Sequence, residues 1–239
     1  MTAPELTVVL PAHNEQGLLE LSVSEISKEL AGRGQSFELI IVENGSSDRT
    51  LEIADRLSRE LGEVRVLSLR HADYGRAIAK GIQQASAPVI VLFDVDYFDL
   101  GFLDRAVELL GRGSCGIVLA SKRAPGSIDR RPLTRRLLTA AFSTCMQVVV
   151  GLNVSDAHGM KAFLASDCAE IARECVMGGS LFDVELVLRS RRAGVGVSEL
   201  PVEVRELRPP RTPVLGRILE GAVGLLRLRL LLGREPPDT

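Results

Sequence analysis

Two aspartates follow a short apolar run near the middle of the chain. Residues 89–93 are Val-Ile-Val-Leu-Phe, and Asp94 and Asp96 come directly after them with one residue between. In an extended backbone alternate side chains point the same way, so the two carboxylates can converge on one hard cation. An apolar run bounded by Pro88 and acidic residues predicts a buried central strand. The pattern therefore places a candidate metal site at the carboxyl end of a strand, where open α/β sheets bind ligands.

Two aspartates at this spacing would alone be weak evidence for a metal site. Alternating strand and helix patterns precede them and strengthen it. Strands are predicted at 6–10, 37–43 and 64–69, with helices at about 15–30 and 49–61 and a further helix beginning near Gly75. This spacing predicts parallel strands with right-handed crossovers, hence a doubly wound, mostly parallel α/β sheet flanked by helices. No GxGxxG or GxxxxGK[ST] motif follows a strand, which argues against dinucleotide oxidoreductases and P-loop enzymes.

The second half of the chain continues the pattern. The predicted strands are 116–122, 161–164 and 197–204, and the predicted helices include 102–110, 137–152 and 182–194. One more helix is predicted to follow a cap at Ser166 or Asp167 and to end at about Val176. A Pro/Arg-rich stretch at 205–213 then predicts a linker, and residues 214–232 have helical spacing. We expect a single domain over 1–205, followed at 206–239 by the linker and a C-terminal amphipathic helix.

Charge is divided unevenly along the chain. The net charge of −2 argues against a nucleic-acid binder held by bulk electrostatics. Residues 1–110 carry 10 basic and 18 acidic side chains, whereas residues 111–239 carry 19 and 13. An acidic first half and a basic second half predict two tasks, a metal site and the binding of an anionic partner.

The four cysteines show no CxxC or zinc-finger spacing. We interpret them as reduced and mostly buried thiols of a cytoplasmic protein. No run of 18 uncharged apolar residues occurs, so no membrane-spanning helix is expected. The C-terminal helix is expected either to pack on the body or to lie on the inner face of a membrane, because its apolar side is flanked by arginines. That predicted apolar side consists of Leu215, Ile218, Leu219, Ala222, Leu225 and Leu226.

Seven short motifs together resemble the inverting family-2 glycosyltransferases with the GT-A fold, and more narrowly the polyprenyl- and dolichyl-phosphate hexosyltransferases. They are PAHNE (11–15), VENGSSDRT (42–50), YGRAIAKGI (74–82), DVD (94–96), ASKR (120–123), SDAHGMKAF (155–163) and FDVEL (182–186). Each motif alone is weak, but they occur in the family's order and cover residues 6–205.

The resemblance implies transfer of a hexose from a nucleotide-sugar, of the GDP-mannose or UDP-glucose type, to a polyprenyl phosphate with inversion. Residues 1–100 would bind the donor and residues 101–205 the acceptor. Asp94 and Asp96 would hold Mg²⁺ or Mn²⁺ on the donor diphosphate. The nucleotide-sugar contacts implied are Pro11, Ala12, His13, Glu15, Glu43, Asn44, Tyr74, Gly75, Asp94, Val95 and Asp96. Asp156 matches an aspartate that lies near the metal and the reacting carbon in relatives.

The acceptor decides which chemistry the second half must supply. A hydroxyl acceptor needs a general base, for which Asp156 is the first candidate. A phosphate acceptor is already an anion and needs cations instead. Candidate cations are Lys122, Arg123, Arg131 and Arg135, although a run of this kind is often a solvated face. The basic second half favours the phosphate; a soluble hydroxyl acceptor and a non-catalytic nucleotide-sugar-binding protein are the alternatives.

Two departures from the family pattern bear on the donor site. Glu43 and Asn44 stand where the family usually has two aspartates, and Phe98 stands where some relatives have a metal-binding glutamine. We expect Glu43 to face the ligand, because a buried carboxylate needs a partner. Glu15 is either a ribose contact or an acidic residue in the first turn of a helix.

Overall fold

The computed structural model describes residues 3–204 and 214–233, with the backbone alone for residues 214–220. Among these residues a seven-stranded sheet lies between two layers of helices, and a two-stranded ribbon lies beside it. The strands are β1 (Leu6–Ala12), β2 (Phe37–Asn44), β3 (Val64–Leu69), β4 (Val89–Leu92), β5 (Ile117–Ser121), β6 (Ile128–Asp129), β7 (Lys161–Leu164), β8 (Val197–Pro201) and β9 (Glu203–Val204). The helices are α1 (Leu19–Gly32), α2 (Thr50–Glu60), α3 (Tyr74–Gln84), α4 (Leu100–Gly111), α5 (Leu133–Val150), α6 (Ala165–Glu174), α7 (Leu181–Arg192) and α8 (Val214–Leu232).

The sheet has the order β3-β2-β1-β4-β7-β5-β8 and is parallel except at β7, which runs antiparallel to both of its neighbours. The predicted doubly wound, mostly parallel sheet is therefore confirmed. In the register of the first strands, Ala12 pairs with Glu43 and Val9 pairs with Leu92. The ends of β1, β2 and β4 consequently lie along one edge, called here the carboxyl edge, and the loops that follow them meet there.

Alternating side chains of the strands supply two apolar layers, one on each face of the sheet. Val8 and Leu10 of β1 belong to the layer that also contains α1, α2 and α4. Val9 points to the other layer, which contains α3, α6 and α7 together with parts of α5 and α8. Because β1 and β4 are covered on both sides, their sequences are nearly continuous apolar runs, as the sequence predicted for buried parallel strands.

The first helix begins four residues later than predicted, at Leu19. Asn14 has a positive φ of 55°, which breaks the helical path. The loop after β2 also binds this segment, because the Asn14 N–H donates to Ser46 Oγ at 3.0 Å and the Glu15 N–H donates to Thr50 Oγ1 at 2.7 Å. Glu15 therefore lies in a loop and not in the first turn of a helix.

Three other boundaries differ from the prediction. α5 begins at Leu133 directly after Pro132, so the end of the basic stretch is helical. α6 begins at Ala165 without a side-chain cap, so neither Ser166 nor Asp167 caps it. The last predicted strand is divided at Val202, because its first part pairs with β5 and its second part with β6.

The C-terminal helix lies where predicted but turns a different side to the protein. Leu225, Leu228 and Leu232 are buried in the core, whereas Leu226 of the predicted apolar side is exposed. Gly224 belongs to the buried side, and a Cβ there would overlap Leu181 of α7, so small residues allow the close approach. The predicted linker at 205–213 and the side chains before residue 221 lie outside the described residues.

All four cysteines are unpaired. Cys115 and Cys168 are buried and Cys175 is half-buried, whereas Cys145 is exposed. In the described parts of the chain, no helix combines the length and apolar character needed to cross a membrane.

Candidate active site

A cleft at the carboxyl edge of the sheet brings together residues from four separate motifs. Its lining consists of Pro11, His13, Glu15, Asn44, Tyr74, Asp94, Val95 and Asp96. β1 supplies Pro11 and the loop after it, β2 supplies Asn44 at its last position, and Tyr74 is the first residue of α3. The three predicted donor residues absent from this lining are Ala12, Glu43 and Gly75.

The two aspartates lie on a tight turn and not on the strand. β4 ends at Leu92, and the backbone N–H groups of Asp94 and Tyr97 each donate to the carbonyl of the other, at 3.2 and 3.1 Å. The buried Ser22 hydroxyl donates to the Val95 carbonyl at 2.7 Å and so fixes this turn from α1. Convergence of the two carboxylates therefore comes from a turn, where we had inferred it from an extended strand.

The environment of Asp94 disfavours a negative charge. Burial, and after it the neighbouring Asp96 carboxylate, raise the pKa of Asp94 to about 6, while Lys161 acts in the opposite direction. The Tyr74 hydroxyl donates to Asp94 Oδ1 at 3.1 Å. Two like charges in a partly buried cleft are an arrangement that a bound cation would stabilise.

The residues of the cleft fit a divalent ion with oxygen ligands. Within residues 3–204 and 214–233, no group of three or more His, Cys, Asp or Glu side chains is arranged to hold a metal. Phe98 packs against Phe93, with ring centroids 6.1 Å apart. Asp94 and Asp96 would hold the ion, and phosphate oxygens of a bound donor would be further ligands, as is usual for Mg²⁺ at phosphate sites.

Glu43 and Gly75 have structural partners. Glu43 is 2% exposed, and its two oxygens accept from the Ser46 N–H at 2.5 Å and the Ser68 hydroxyl at 2.7 Å. The reason for which we predicted Glu43 to face the donor, an unmet need for a partner, therefore does not hold. At Gly75 a Cβ would lie 2.7 Å from Phe182 Cβ, so this residue allows α3 to approach α7 closely.

Asn44 both lines the cleft and organises it. Its side-chain Oδ1 accepts from the Asp73 N–H at 2.7 Å, and its carbonyl lies 2.8 Å from His13 Nδ1. The Asp73 carboxylate in turn accepts from the Arg76 N–H and caps α3. These contacts fix the loop that carries His13 and the start of α3, which carries Tyr74.

Asp156 and Lys122, both predicted to serve the acceptor, form an ion pair. Lys122 Nζ lies 2.9 Å from Asp156 Oδ2, and the His158 N–H donates to Asp156 Oδ1 at 3.0 Å. The segment is held by Glu199 of β8, whose Oε1 accepts from the Ser155 N–H at 2.9 Å and the Ser155 hydroxyl at 2.6 Å. No local pattern marks Glu199, because its partner Ser155 is 44 positions away and the two meet only in the folded chain.

The predicted basic cluster is not one uniform surface. Arg131 directs its guanidinium at Asp129, with Nε–Oδ1 and Nη2–Oδ2 distances of 2.9 and 2.8 Å, and both side chains are nearly buried. Arg123 is exposed, and Arg135 is half-buried in the first turn of α5. Arg131 is thus engaged by Asp129 through the forked geometry that a phosphate would require.

A second buried ion pair lies behind the cleft, and the sequence analysis missed it also. Lys161 Nζ lies 2.8 Å from Asp183 Oδ1, with both side chains at most 2% exposed, and it donates to the Gly159 carbonyl at 2.9 Å. Both charges act on Asp94, Lys161 lowering and Asp183 raising the pKa of that carboxyl. Both residues lie within motifs quoted above, SDAHGMKAF and FDVEL, but no local spacing relates one to the other.

The profile of the family described as "Glycosyl transferase family 2" matches residues 7–171, which include the cleft and the Asp156–Lys122 pair. The chain belongs to glycosyl transferase family 2. The predicted family and enzyme class are thereby confirmed for this family-2 glycosyltransferase.

Relatives differ in how much of their length the chain spans. It is 31% identical over 208 residues to the glycosyltransferase AglD of Haloferax volcanii. The matched region covers 83% of this chain but 33% of AglD. It is 25% identical over 224 residues to the dolichyl-phosphate beta-glucosyltransferase ALG5A of Trichomonas vaginalis, covering 89% of this chain and 69% of that protein. The chain therefore spans about a third of the length of AglD.

Solved structures confirm the fold. The glucosyl-3-phosphoglycerate synthase of Mycobacterium tuberculosis superposes with a TM-score of 0.70 at 21% identity, covering 95% of this chain and 80% of that chain. The same synthase has been crystallised with Mn²⁺, UDP-glucose and phosphoglyceric acid. At this identity the likeness establishes the GT-A fold of this family-2 glycosyltransferase.

Proposed function

We propose that the protein transfers a hexose from a nucleotide-sugar to the phosphate of a polyprenyl-phosphate acceptor, with inversion at the anomeric carbon. The observation that carries the proposal is the cleft at the carboxyl edge, where Asp94 and Asp96 meet Tyr74. Nucleotides bind at this edge in open α/β sheets. The dolichyl-phosphate glucosyltransferases among the relatives support the acceptor class.

We assign the donor to residues 1–100 and the acceptor to residues 101–205, since the cleft lining lies in the first range and the Asp156–Lys122 pair in the second. Asp94 and Asp96 would hold Mg²⁺ or Mn²⁺, which when bound stabilises the charge on the leaving nucleoside diphosphate. Tyr74 orients the Asp94 carboxylate by its hydrogen bond.

The arrangement around Asp156 supports a phosphate acceptor over a hydroxyl. One oxygen of Asp156 accepts from Lys122 and the other from the His158 N–H. We therefore assign Asp156 the task of holding Lys122 at the acceptor site. Lys122, Arg123 and Arg135 would supply positive charge to a phosphate that needs no general base. A lipid acceptor places this work at the cytoplasmic face of a membrane, in keeping with four unpaired cysteines.

The test is a transfer assay with matched acceptors. Purified protein, labelled UDP- and GDP-sugars and Mn²⁺ would be given a polyprenyl phosphate or the corresponding free polyprenol. We expect transfer to the phosphate and not to the alcohol. EDTA should abolish it, and Asp96→Asn should lower it at least about a hundredfold because one metal ligand is lost. Glu108→Gln, which removes an exposed carboxylate on α4, is the control and should leave transfer unchanged.

Asp156→Asn separates the two acceptor chemistries. With a phosphate acceptor the loss should be modest and the pH profile flat above neutrality, whereas a general base would cost about a hundredfold or more. Transfer to polyprenol alone would replace the proposal by a hydroxyl acceptor. Metal-dependent donor binding without transfer or hydrolysis would identify a binding protein that lacks catalysis.

A further inference from the structure

α5 and α8 carry six of the ten large apolar side chains that are exposed among the described residues. Each of the six is at least 54% exposed. They are Leu133, Leu137 and Val148 on α5, and Val223, Leu226 and Leu230 on α8. Scattered exposed apolar residues are ordinary, but rows on neighbouring elements mark an interaction surface.

The two helices form one layer. Arg229 Nη1 of α8 donates to the Val149 carbonyl of α5 at 2.9 Å, and a Cβ at Gly221 would lie 2.9 Å from the Phe142 ring. Each helix turns its opposite side to the protein, α5 with Met146 and α8 with Leu228. Since the helices touch flank to flank and both cover the same body, their exposed rows face outward from the same layer.

The charged residues of α5 and of residues 221–233 are all arginines. Arg136, Arg227 and Arg229 are exposed on the two helices. Neither α5 nor residues 221–233 contain an acidic residue. Apolar rows flanked by arginines match the surface of an anionic lipid leaflet, in which the side chains enter the acyl boundary and the guanidiniums meet the headgroups.

We infer that the outward side of α5 and α8, defined by those six residues and called here the docking surface, binds an anionic membrane. The sequence predicts such contact for α8 alone, through a set of residues that shares only Leu226 with the docking surface. This inference rests on the proposed function, because membrane binding would give the enzyme access to a polyprenyl phosphate.

The inner side of α5 gives the docking surface its connection to catalysis. Ser143 Oγ donates to the Ser155 carbonyl at 2.6 Å, and the Phe142 ring lies 5.1 Å from the His158 ring. α5 therefore contacts the segment that carries Asp156 on one side and presents the docking surface on the other. One helix diameter, about 10 Å, separates the two. A lipid phosphate at headgroup level would enter the acceptor side without leaving the bilayer.

Co-sedimentation with vesicles tests the surface directly. The wild-type protein should sediment with vesicles of phosphatidylcholine and phosphatidylglycerol. The quadruple variant Leu137→Ser, Val148→Ser, Leu226→Ser and Leu230→Ser should partition at least about a hundredfold less, because each buried Leu or Val contributes roughly tenfold. The matched control is Leu21→Ser with Val176→Ser, two equally exposed apolar residues elsewhere, and should bind like wild type.

The arginines are tested separately, with Arg136→Gln and Arg227→Gln. We expect roughly fivefold weaker binding to anionic vesicles for each, because one cationic side chain near a charged surface contributes about 1 kcal/mol. Binding to pure phosphatidylcholine should change little. If the quadruple variant melts far below wild type, the pair Val148→Ser and Leu230→Ser replaces it in the same assay.

Three results would overturn the inference. They are wild-type protein that stays in the supernatant with both vesicle types, a quadruple variant that sediments like wild type, and a dimer in light scattering that the quadruple variant dissociates. The last would show that the surface joins two copies of the chain.

A short-chain, water-soluble polyprenyl phosphate distinguishes this inference from the proposed function. The quadruple variant should use it like wild type and lose transfer to a long-chain acceptor in vesicles. Equal transfer to the vesicle acceptor by both proteins would remove the docking surface and leave the proposed function. Wild-type protein that binds vesicles but uses no polyprenyl phosphate would remove the proposed function and leave the docking surface.

Discussion

The Tyr74 hydroxyl donates a 3.1 Å hydrogen bond to Asp94 Oδ1 and ties the first turn of α3 to the turn that carries both aspartates. Burial and the nearby Asp94 carboxylate raise the pKa of Tyr74 well above its ordinary value, so the phenol stays protonated and remains a donor. The proposed metal site is thus oriented by a neutral group from a separate motif.

Tyr74→Phe should weaken Mn²⁺ binding in the presence of donor nucleotide by roughly tenfold, since a hydrogen bond to a charged group contributes about 1.5–3 kcal/mol. Calorimetric titration of Mn²⁺ measures this. Tyr97→Phe is the control, because the Tyr97 hydroxyl donates instead to the Glu203 carbonyl at 3.2 Å. Equal losses in both variants would show that Tyr74 contributes only general packing.

Glu199→Gln should lower kcat about tenfold or more while leaving the KM for the donor nearly unchanged. The carboxylate holds the Ser155–Asp156 backbone, and loss of a charged acceptor weakens each of those bonds. Steady-state kinetics with both substrates separate the two parameters. Glu203→Gln, at an exposed carboxylate four positions on, should match wild type. A raised donor KM with unchanged kcat would contradict this positioning by Glu199.

Lys161→Met should destabilise the protein by about 3–5 kcal/mol, because it leaves the Asp183 carboxylate buried without its counter-charge. Urea unfolding with and without donor measures the change. The double variant Lys161→Met with Asp183→Leu should recover much of the stability, since no uncompensated charge then remains. Stability of the single variant within about 1 kcal/mol of wild type would show that water compensates the buried charge.

The hydrogen bonds to the Glu38 carboxylate predict that the stability of the fold depends on pH. Burial acts to raise the pKa of Glu38, but hydrogen bonds from Ser86, Thr7 and Arg65 outweigh it and lower the pKa below the ordinary 4.5. A lowered folded-state pKa means that the ionised group stabilises the fold above about pH 4.5, and that this contribution is lost as the pH falls through the folded-state value.

Glu38→Gln should therefore reduce the free energy of unfolding at pH 7 by about 1–3 kcal/mol. The difference from wild type should shrink steadily as unfolding is repeated at lower pH, below the ordinary pKa. Glu60→Gln, at an exposed position on α2, should show no such trend. A constant difference at every pH would mean that the amide fails to fit the site for reasons unrelated to charge.

The strand runs and the aspartates that follow them were predictable, because buried parallel strands leave continuous apolar sequence and the loops after them meet at one edge. The cleft accordingly contains eight of the eleven residues expected at the donor site. Of the three outside it, Glu43 has hydrogen-bond partners within the protein, Ser46 and Ser68, and Gly75 packs against Phe182. Whether a carboxylate already has partners depends on loop geometry, which no local pattern encodes.

Long-range pairs account for the rest. Glu199 with Ser155 and Lys161 with Asp183 are distant in the sequence, and neither pair has the local spacing of a motif. The side that α8 turns to the protein was misjudged for a related reason. Leucine rows suggested one apolar side, but the contact with α7 is made where Gly224 permits close approach.

Because Gly224 packs closely over Leu181, α8 belongs to the same packed body as α7. Leu181 begins α7, and two residues later the same helix carries Asp183. A shortened protein that stops before α8 would lack Leu225, Leu228 and Leu232 and would expose the core residues that they cover. It would also destabilise α7, the helix that carries Asp183. Engineered forms meant to be water-soluble should therefore keep α8 and change only its outward residues.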